Sequence, residues 1–431
     1  MRSALSGVAR THTRCMVKNM ITARLLTLLL AATMFVSAQV RLQSAQTDQA
    51  SVSRSTQHRV TVPLFIELNR PFIDLEFKRP NGSSRMARFW VDTGGGAFII
   101  CEPLARELDL KFGAEMSEQG QRFAATTPPK VTLGGMPLDL EGARAIIALG
   151  EKTIEAGVRA EGMFPGHVLK RYHVVFDYPG KLFTLSAPGG AKPRGSRLDS
   201  PVHPRSGFPR IEAQIDGQNY GFLLDTGASF TMISQEVLNQ WSGRHPDWPR
   251  TLGAVGAANM GLGRMEAGAT MMRIPQVKLA DFKLPSITAV SRPNGTFERW
   301  MSPMMTSPII GAIGGNVLRL FRVEIDYANG TTYLERRGAP DDALDIVGLT
   351  LRAQRDGTYL ISGVSKENAA EVIEGIREGD KLVRVDKLDV FGAELADVVN
   401  ALRGAPKQVH ILVLERDGRQ FILRAPTVRI M

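Results

Sequence analysis

Cysteine is nearly absent. The 431 residues hold two, Cys15 and Cys101. Cys15 lies in a segment expected to be removed, so Cys101 stands alone and no internal disulfide can form. The fold must be held by its apolar core. The seven histidines form no H-E-x-x-H and no Cys/His spacing that would hold a metal. No metal and no cofactor is expected. No G-x-S-x-G, phosphate loop or dinucleotide fingerprint follows a strand-like run. No run of Lys and Arg with interleaved aromatics marks a nucleic-acid groove. Beyond residue 38, no apolar stretch approaches the roughly 20 residues needed to span a bilayer.

The formal charge is +10, and part of it is a tail effect. Arg2, Arg10, Arg14, Lys18 and Arg24 precede or flank an apolar run, LLTLLLAATMFV at 25–36, with no acid among residues 1–38. Without that segment the charge is +5. Small residues at Val36-Ser37-Ala38 suit a signal peptidase, so residues 1–38 read as a cleaved export signal. Retention as a membrane anchor is the other reading. Export without disulfides points to a bacterial periplasmic protein. Residues 39–59 read as a flexible polar leader. Strand-like β-branched runs begin at Val60. A Pro/Gly/Ser-rich stretch at 188–204 reads as a linker. The expected blocks are therefore 60–187, 205–337 and, after a break at RRGAPDD, 342–431.

The first two blocks repeat each other. GMFPGHVLKRYHVVFDYPGKLFTL at 162–185 aligns without a gap on GAIGGNVLRLFRVEIDYANGTTYL at 311–334, an offset of 149 residues. Gly162/Gly311, Val174/Val323, Asp177/Asp326 and Tyr178/Tyr327 are among the identities. Upstream, each block holds one D-T-G, Asp92-Thr93-Gly94 and Asp225-Thr226-Gly227, offset by 133. A repeat this long implies a duplicated lobe rather than a solenoid. Two such lobes pack about a pseudo-twofold axis, where equivalent residues meet. Asp92 and Asp225 are thus expected to face each other.

Each D-T-G sits between strand-like runs, ARFWV and GAFII in one block, YGFLL and SFTMI in the other. Glycine lets the backbone turn sharply and approach its twin. The threonine can donate its hydroxyl to backbone across the interface and hold both loops rigid. Two adjacent carboxylates cannot both ionise easily, so they share a proton. The charged one can deprotonate a water, and the protonated one can polarise a carbonyl and later protonate a leaving amine. Which aspartate carries the proton is open at this level.

DTGAS at 225–229, then FTMIS, then PIIGAIGGNVL at 308–318 resembles the retropepsin-like aspartic proteases. That resemblance covers about residues 60–336. It implies a mainly β fold of two barrel-like lobes on one chain. It implies Asp92 and Asp225 as the catalytic pair, supported by Thr93, Gly94, Thr226, Gly227 and Ser229. It further implies peptide or protein substrates and a functional monomer. Lobe one departs from the pattern, with DTGGG where lobe two has DTGAS and EGMFPG where an apolar-apolar-Gly segment is expected. Flap hairpins are expected within 115–135 and 252–266.

The last block holds GLTLRA at 348–353, then GIREGDKL at 375–382 and AELADVVNALRG at 393–404. It resembles bacterial PDZ domains, an α+β fold. The resemblance implies that Gly348, Leu349, Thr350 and Leu351 bind the C-terminal tail of a peptide by strand addition. Two functions follow: an exported aspartic endopeptidase with a peptide-selecting PDZ domain, or an inactive two-lobed peptide-binding protein.

Overall fold

A computed structural model of the chain describes residues 59–118, 121–189, 192–260, 264–339, 344–367, 370–371 and 373–430. The expected export signal and nearly all of the leader lie outside the described residues. Among those described, the fold is mainly β, and no helix is long and apolar enough to cross a membrane.

A six-stranded sheet joins the two lobes. Its central pair is His173–Asp177 against Phe321–Asp326, antiparallel. The register places Val175 opposite Glu324, its own repeat equivalent at the 149-residue offset. His173 faces Asp326 and Asp177 faces Arg322. Residue i meets j′ while j meets i′, which is what a twofold axis through the Val175/Glu324 pair requires. Leu182–Ser186 and Thr331–Arg336 flank the central pair symmetrically. The outer strands differ in origin: Arg59–Pro63 on one edge, Ser196–Asp199 on the other. The stretch read as a linker thus contains a strand, because its alternating Ser-Arg-Leu-Asp can pair with the otherwise open edge of Thr331–Arg336.

Glu324 is fully buried at this axis, between His173 at 2.7 Å and Arg322. Burial alone would push its carboxyl up, but hydrogen bonds from both neighbours hold it below the usual range. Apolar packing surrounds this pair. Phe176 stacks with Tyr178 and packs on Phe183.

In lobe one, Gly162–Pro165 lies between Ser84–Asp92 and Phe98–Cys101. In lobe two, Gly311–Ile313 lies between Gln218–Leu224 and Thr231–Ser234. The registers match: Gly162 faces Phe89, and Gly311 faces Phe222. Lobe two's sheet closes on itself where Arg210–Ile215 pairs with Thr270–Leu279. Cys101 is buried in lobe one's core, and burial pushes its thiol up to about 11. It acts as a small apolar filler.

The C-terminal block has a sheet ordered Leu349–Ala353, Tyr359–Val364, Lys381–Val385, Val409–Arg416, Arg419–Pro426, with the helix Leu395–Ala401. Leu349–Ala353 is its edge strand. Lys366–Glu367 leaves this block and pairs with Arg250–Leu252 of lobe two. Lobe two and the C-terminal block therefore share a sheet.

Candidate active site

Asp92 ends the strand Ser84–Asp92, and Asp225 follows the strand Gln218–Leu224. Each strand lies beside its lobe's inner glycine-led strand, so the two tips converge at the axis. The loops are locked by a reciprocal set of bonds. Thr93 Oγ1 donates to Leu224 O at 2.6 Å and accepts from Thr226 N at 3.0 Å. Thr226 Oγ1 donates to Val91 O at 2.8 Å and accepts from Thr93 N at 3.1 Å. Both threonines are fully buried.

The two glycines are placed by close approach. A Cβ on Gly227 would lie 2.4 Å from Cγ and Oδ1 of Asp92. A Cβ on Gly94 would lie 3.2 Å from Cγ of Asp225 and 3.0 Å from Leu223. Each carboxyl thus rests over the glycine of the opposite loop. No side chain fits at 227, and one fits at 94 only with displacement.

The carboxyls are not equivalent. Asp225 Oδ1 accepts two backbone N–H groups, from Gly227 at 2.9 Å and Ala228 at 3.2 Å. Asp92 Oδ1 accepts one, from Gly94 at 2.8 Å. The next N–H in lobe one, Gly95, donates to the carbonyl of Asp92 at 3.1 Å instead. Burial and the charge of Asp225 push the Asp92 carboxyl well above its ordinary value. Burial raises Asp225 too, opposed by its backbone donors. More donors to the charged form favour ionisation of Asp225.

The resemblance implies Ser229 as a support of the pair. The hydroxyl is buried with no hydrogen-bond partner among the described residues, and Ser229 acts through its carbonyl. That oxygen accepts from Asn316 N at 3.0 Å and from Asn69 Nδ2 of lobe one at 3.2 Å. Four further buried residues around the site belong to no catalytic motif. Asn316 is buried and accepts from Thr231 N at 2.7 Å and Thr231 Oγ1 at 3.1 Å, while donating to Thr288 O at 2.8 Å. Arg70 is buried over the Trp90 ring, is paired with Glu155 at 2.7 Å, and its charge opposes the rise of the Asp92 carboxyl. Tyr178 and Tyr327 are buried repeat equivalents. Their phenols are pushed up by burial, then by the charge of Asp225 and Asp92 respectively. Their identity in the repeat was the only signal pointing to them.

The symmetry breaks at His167, the repeat equivalent of Asn316. Neither ring nitrogen has a partner among the described residues, and burial lowers the ring to about 4.

The hairpin expected within 115–135 is present as Glu115–Glu118 with Gln121–Thr126. The stretch 252–266 is not an open hairpin: its described part folds into the C-terminal block. Gly348, Leu349, Thr350 and Leu351 are correspondingly buried, not exposed along an open groove. Leu349 N donates to Val347 O at 2.7 Å, so this N–H is not free to meet a carboxylate.

Residues 211–317 match the family model of aspartyl proteases, and residues 340–414 match that of PDZ domains. Among solved structures, the aspartic proteinase from Irpex lacteus matches at 13% identity and a TM-score of 0.41. The match covers 66% of this chain and 99% of that one. That likeness is too loose to add to the geometry. With twin D-T-G loops meeting at the axis of two repeated lobes, the chain carries a retropepsin-like aspartyl protease domain followed by a PDZ domain.

Proposed function

We propose that the chain is an aspartic endopeptidase that hydrolyses peptide bonds through Asp92 and Asp225. The observation that supports this most is the seating of each carboxyl over the opposite loop's glycine, locked by the threonine pair. That arrangement holds two acids at one point in a buried setting, where one proton serves both.

The donor count favours Asp92 as the carrier of the shared proton. Ionised Asp225 takes a proton from a water whose oxygen bonds to the scissile carbonyl carbon. Asp92 gives its proton to the carbonyl oxygen. On collapse, the carbon–nitrogen bond breaks, Asp225 protonates the leaving amine, and Asp92 recovers its proton from the new hydroxyl. Positions 95 and 228, where a hydroxyl could favour the charged form, carry Gly95 and Ala228, so both carboxyls stay high and the working window shifts toward neutral pH. Residues 1–38 favour export, and the match to PDZ domains favours recognition of peptide or protein chains.

The test is hydrolysis of casein by the purified chain with and without pepstatin. Asp92→Asn and Asp225→Asn are each expected to lower turnover at least a hundredfold. Wild-type turnover in either variant refutes the dyad. The inactive reading is favoured by one observation, the diversion of Gly95 N–H away from the Asp92 carboxyl. It predicts peptide binding with no pepstatin-sensitive hydrolysis.

A further inference from the structure

A PDZ domain receives a peptide along the outer edge of one strand, beside a helix. In this chain that strand is Leu349–Ala353 and the helix is Leu395–Ala401. The space is already filled. Thr350 Oγ1 donates to Ala254 O at 3.0 Å, and Asn259 Nδ2 donates to Leu351 O at 2.6 Å. Ala254, Val255 and Ala258 are completely buried in an apolar cluster made mostly of PDZ residues. Gly256 has φ +57, and a Cβ there would lie 3.3 Å from Leu344 and 3.4 Å from Ile346. The short turn Gly256–Ala258 also packs against the helix.

We propose that the PDZ groove is occupied in cis by the lobe-two bend Gly253–Asn259, and that an incoming peptide must displace this bend to bind. The occupant is an internal segment and brings no terminal carboxylate, which agrees with Leu349 N–H being spent on Val347. Its small and apolar residues define the competitor: a peptide of small side chains with one branched apolar residue in the place of Val255. A cavity of about 440 Å³, lined by Leu68, Phe230, Ala257, Asp397 and Asn400 among others, opens beside the bend and gives a competitor access.

The residues just after the bend contact the strand Thr231–Ser234 through two buried side chains. Glu266, fully buried, accepts from Met260 N at 3.2 Å and pairs with Arg292 at 3.4 Å. Arg292 Nε reaches Met232 Sδ at 3.2 Å, on the strand that follows D-T-G-A-S.

This inference rests on reading the C-terminal block as a peptide-binding domain and is independent of catalysis. It is tested on the full chain carrying Asp225→Asn, so that the probe survives even if the dyad is active. The probe is a fluorescein-labelled free-acid peptide with the sequence of residues 252–260, LGAVGAANM. Adding Val255→Asp, which places a charge in the apolar cluster, is expected to raise its affinity at least tenfold. Equal affinity in the two proteins, or no binding to either, overturns the proposal. Hydrogen exchange supplies the second readout. The amides of 254–259 are expected to be protected in the parent and to exchange at least tenfold faster with Val255→Asp. Random-coil exchange in the parent overturns cis occupancy whatever the variant does. If Val255→Asp does not fold, Asn259→Ala is expected to shift both readouts the same way by a smaller factor, and no shift overturns the proposal.

Discussion

Replacing Thr93 by valine keeps the shape of the side chain and removes its hydroxyl. Two buried backbone groups lose their partner at once: Leu224 O, which accepts at 2.6 Å, and Thr226 N, which donates at 3.0 Å. Leaving a buried polar group unsatisfied costs about 1–3 kcal/mol, so the pair predicts a loss of about 2–6 kcal/mol. For a unit of this size each kcal/mol corresponds to roughly 2 °C in Tm, giving a fall of roughly 4–12 °C. Thr226→Val should cost about the same, because its bonds to Val91 O and from Thr93 N are the mirror image. Thr93→Ser keeps the hydroxyl and should lose little. Differential scanning calorimetry at pH 7 on Thr93→Val, Thr226→Val, the double variant and Thr93→Ser reads the effect. The four bonds form one network, so the double variant should fall short of the sum of the singles. A loss under about 1 kcal/mol for Thr93→Val, or a serine variant as damaged as the valine one, would refute the reasoning.

Asp92→Asn should raise Tm at pH 7. Its folded carboxyl lies well above the unfolded value, so the stability it contributes is present below the unfolded value, about 3.9, and is lost as pH rises through the folded one. The gain over wild type should shrink as the pH approaches 4, and a Tm difference that does not change with pH would contradict it. His167→Asn installs the residue that lobe two carries at the equivalent position. With its folded value near 4 and an unfolded value near 6.5, His167 makes the wild type lose stability as pH falls from 6.5 to 4, with no further loss below. The variant should be flatter in that window by urea denaturation, and identical slopes would show that His167 does not control it.

How much of this could be read from residues alone varies with the kind of information each feature leaves. The 149-residue offset carried the architecture: it pairs Val175 with Glu324, and that register is the one the central sheet adopts. The D-T-G loops could be placed because glycine and threonine there satisfy geometric demands at fixed spacing. Asn316 could not, because a buried asparagine looks like any other until Thr231 and Thr288 are seen around it. Asn69 and Arg70 left no trace either. Asn69 acts from a lobe-one hairpin turn that reaches Ser229 of the other lobe, and Arg70 from its seat over Trp90, contacts no local pattern encodes.

The glycine- and alanine-rich stretch after Leu252 shows where composition is ambiguous in principle. Small residues without periodicity suit a mobile hairpin, and they suit equally well a bend that must enter a narrow groove beside a strand and a helix. The two differ only in whether a surface complementary to the bend exists elsewhere in the chain. Here it does, about 90 residues downstream, in Leu344, Ile346 and Thr350. The duplicated lobes therefore share a fold while their hairpins have separate fates. Lobe one keeps Glu115–Glu118 and Gln121–Thr126 as a hairpin of its own, and lobe two gives its counterpart to the PDZ domain. The active site is near-symmetric where chemistry demands two carboxyls and asymmetric at the bend, where one lobe has acquired a partner.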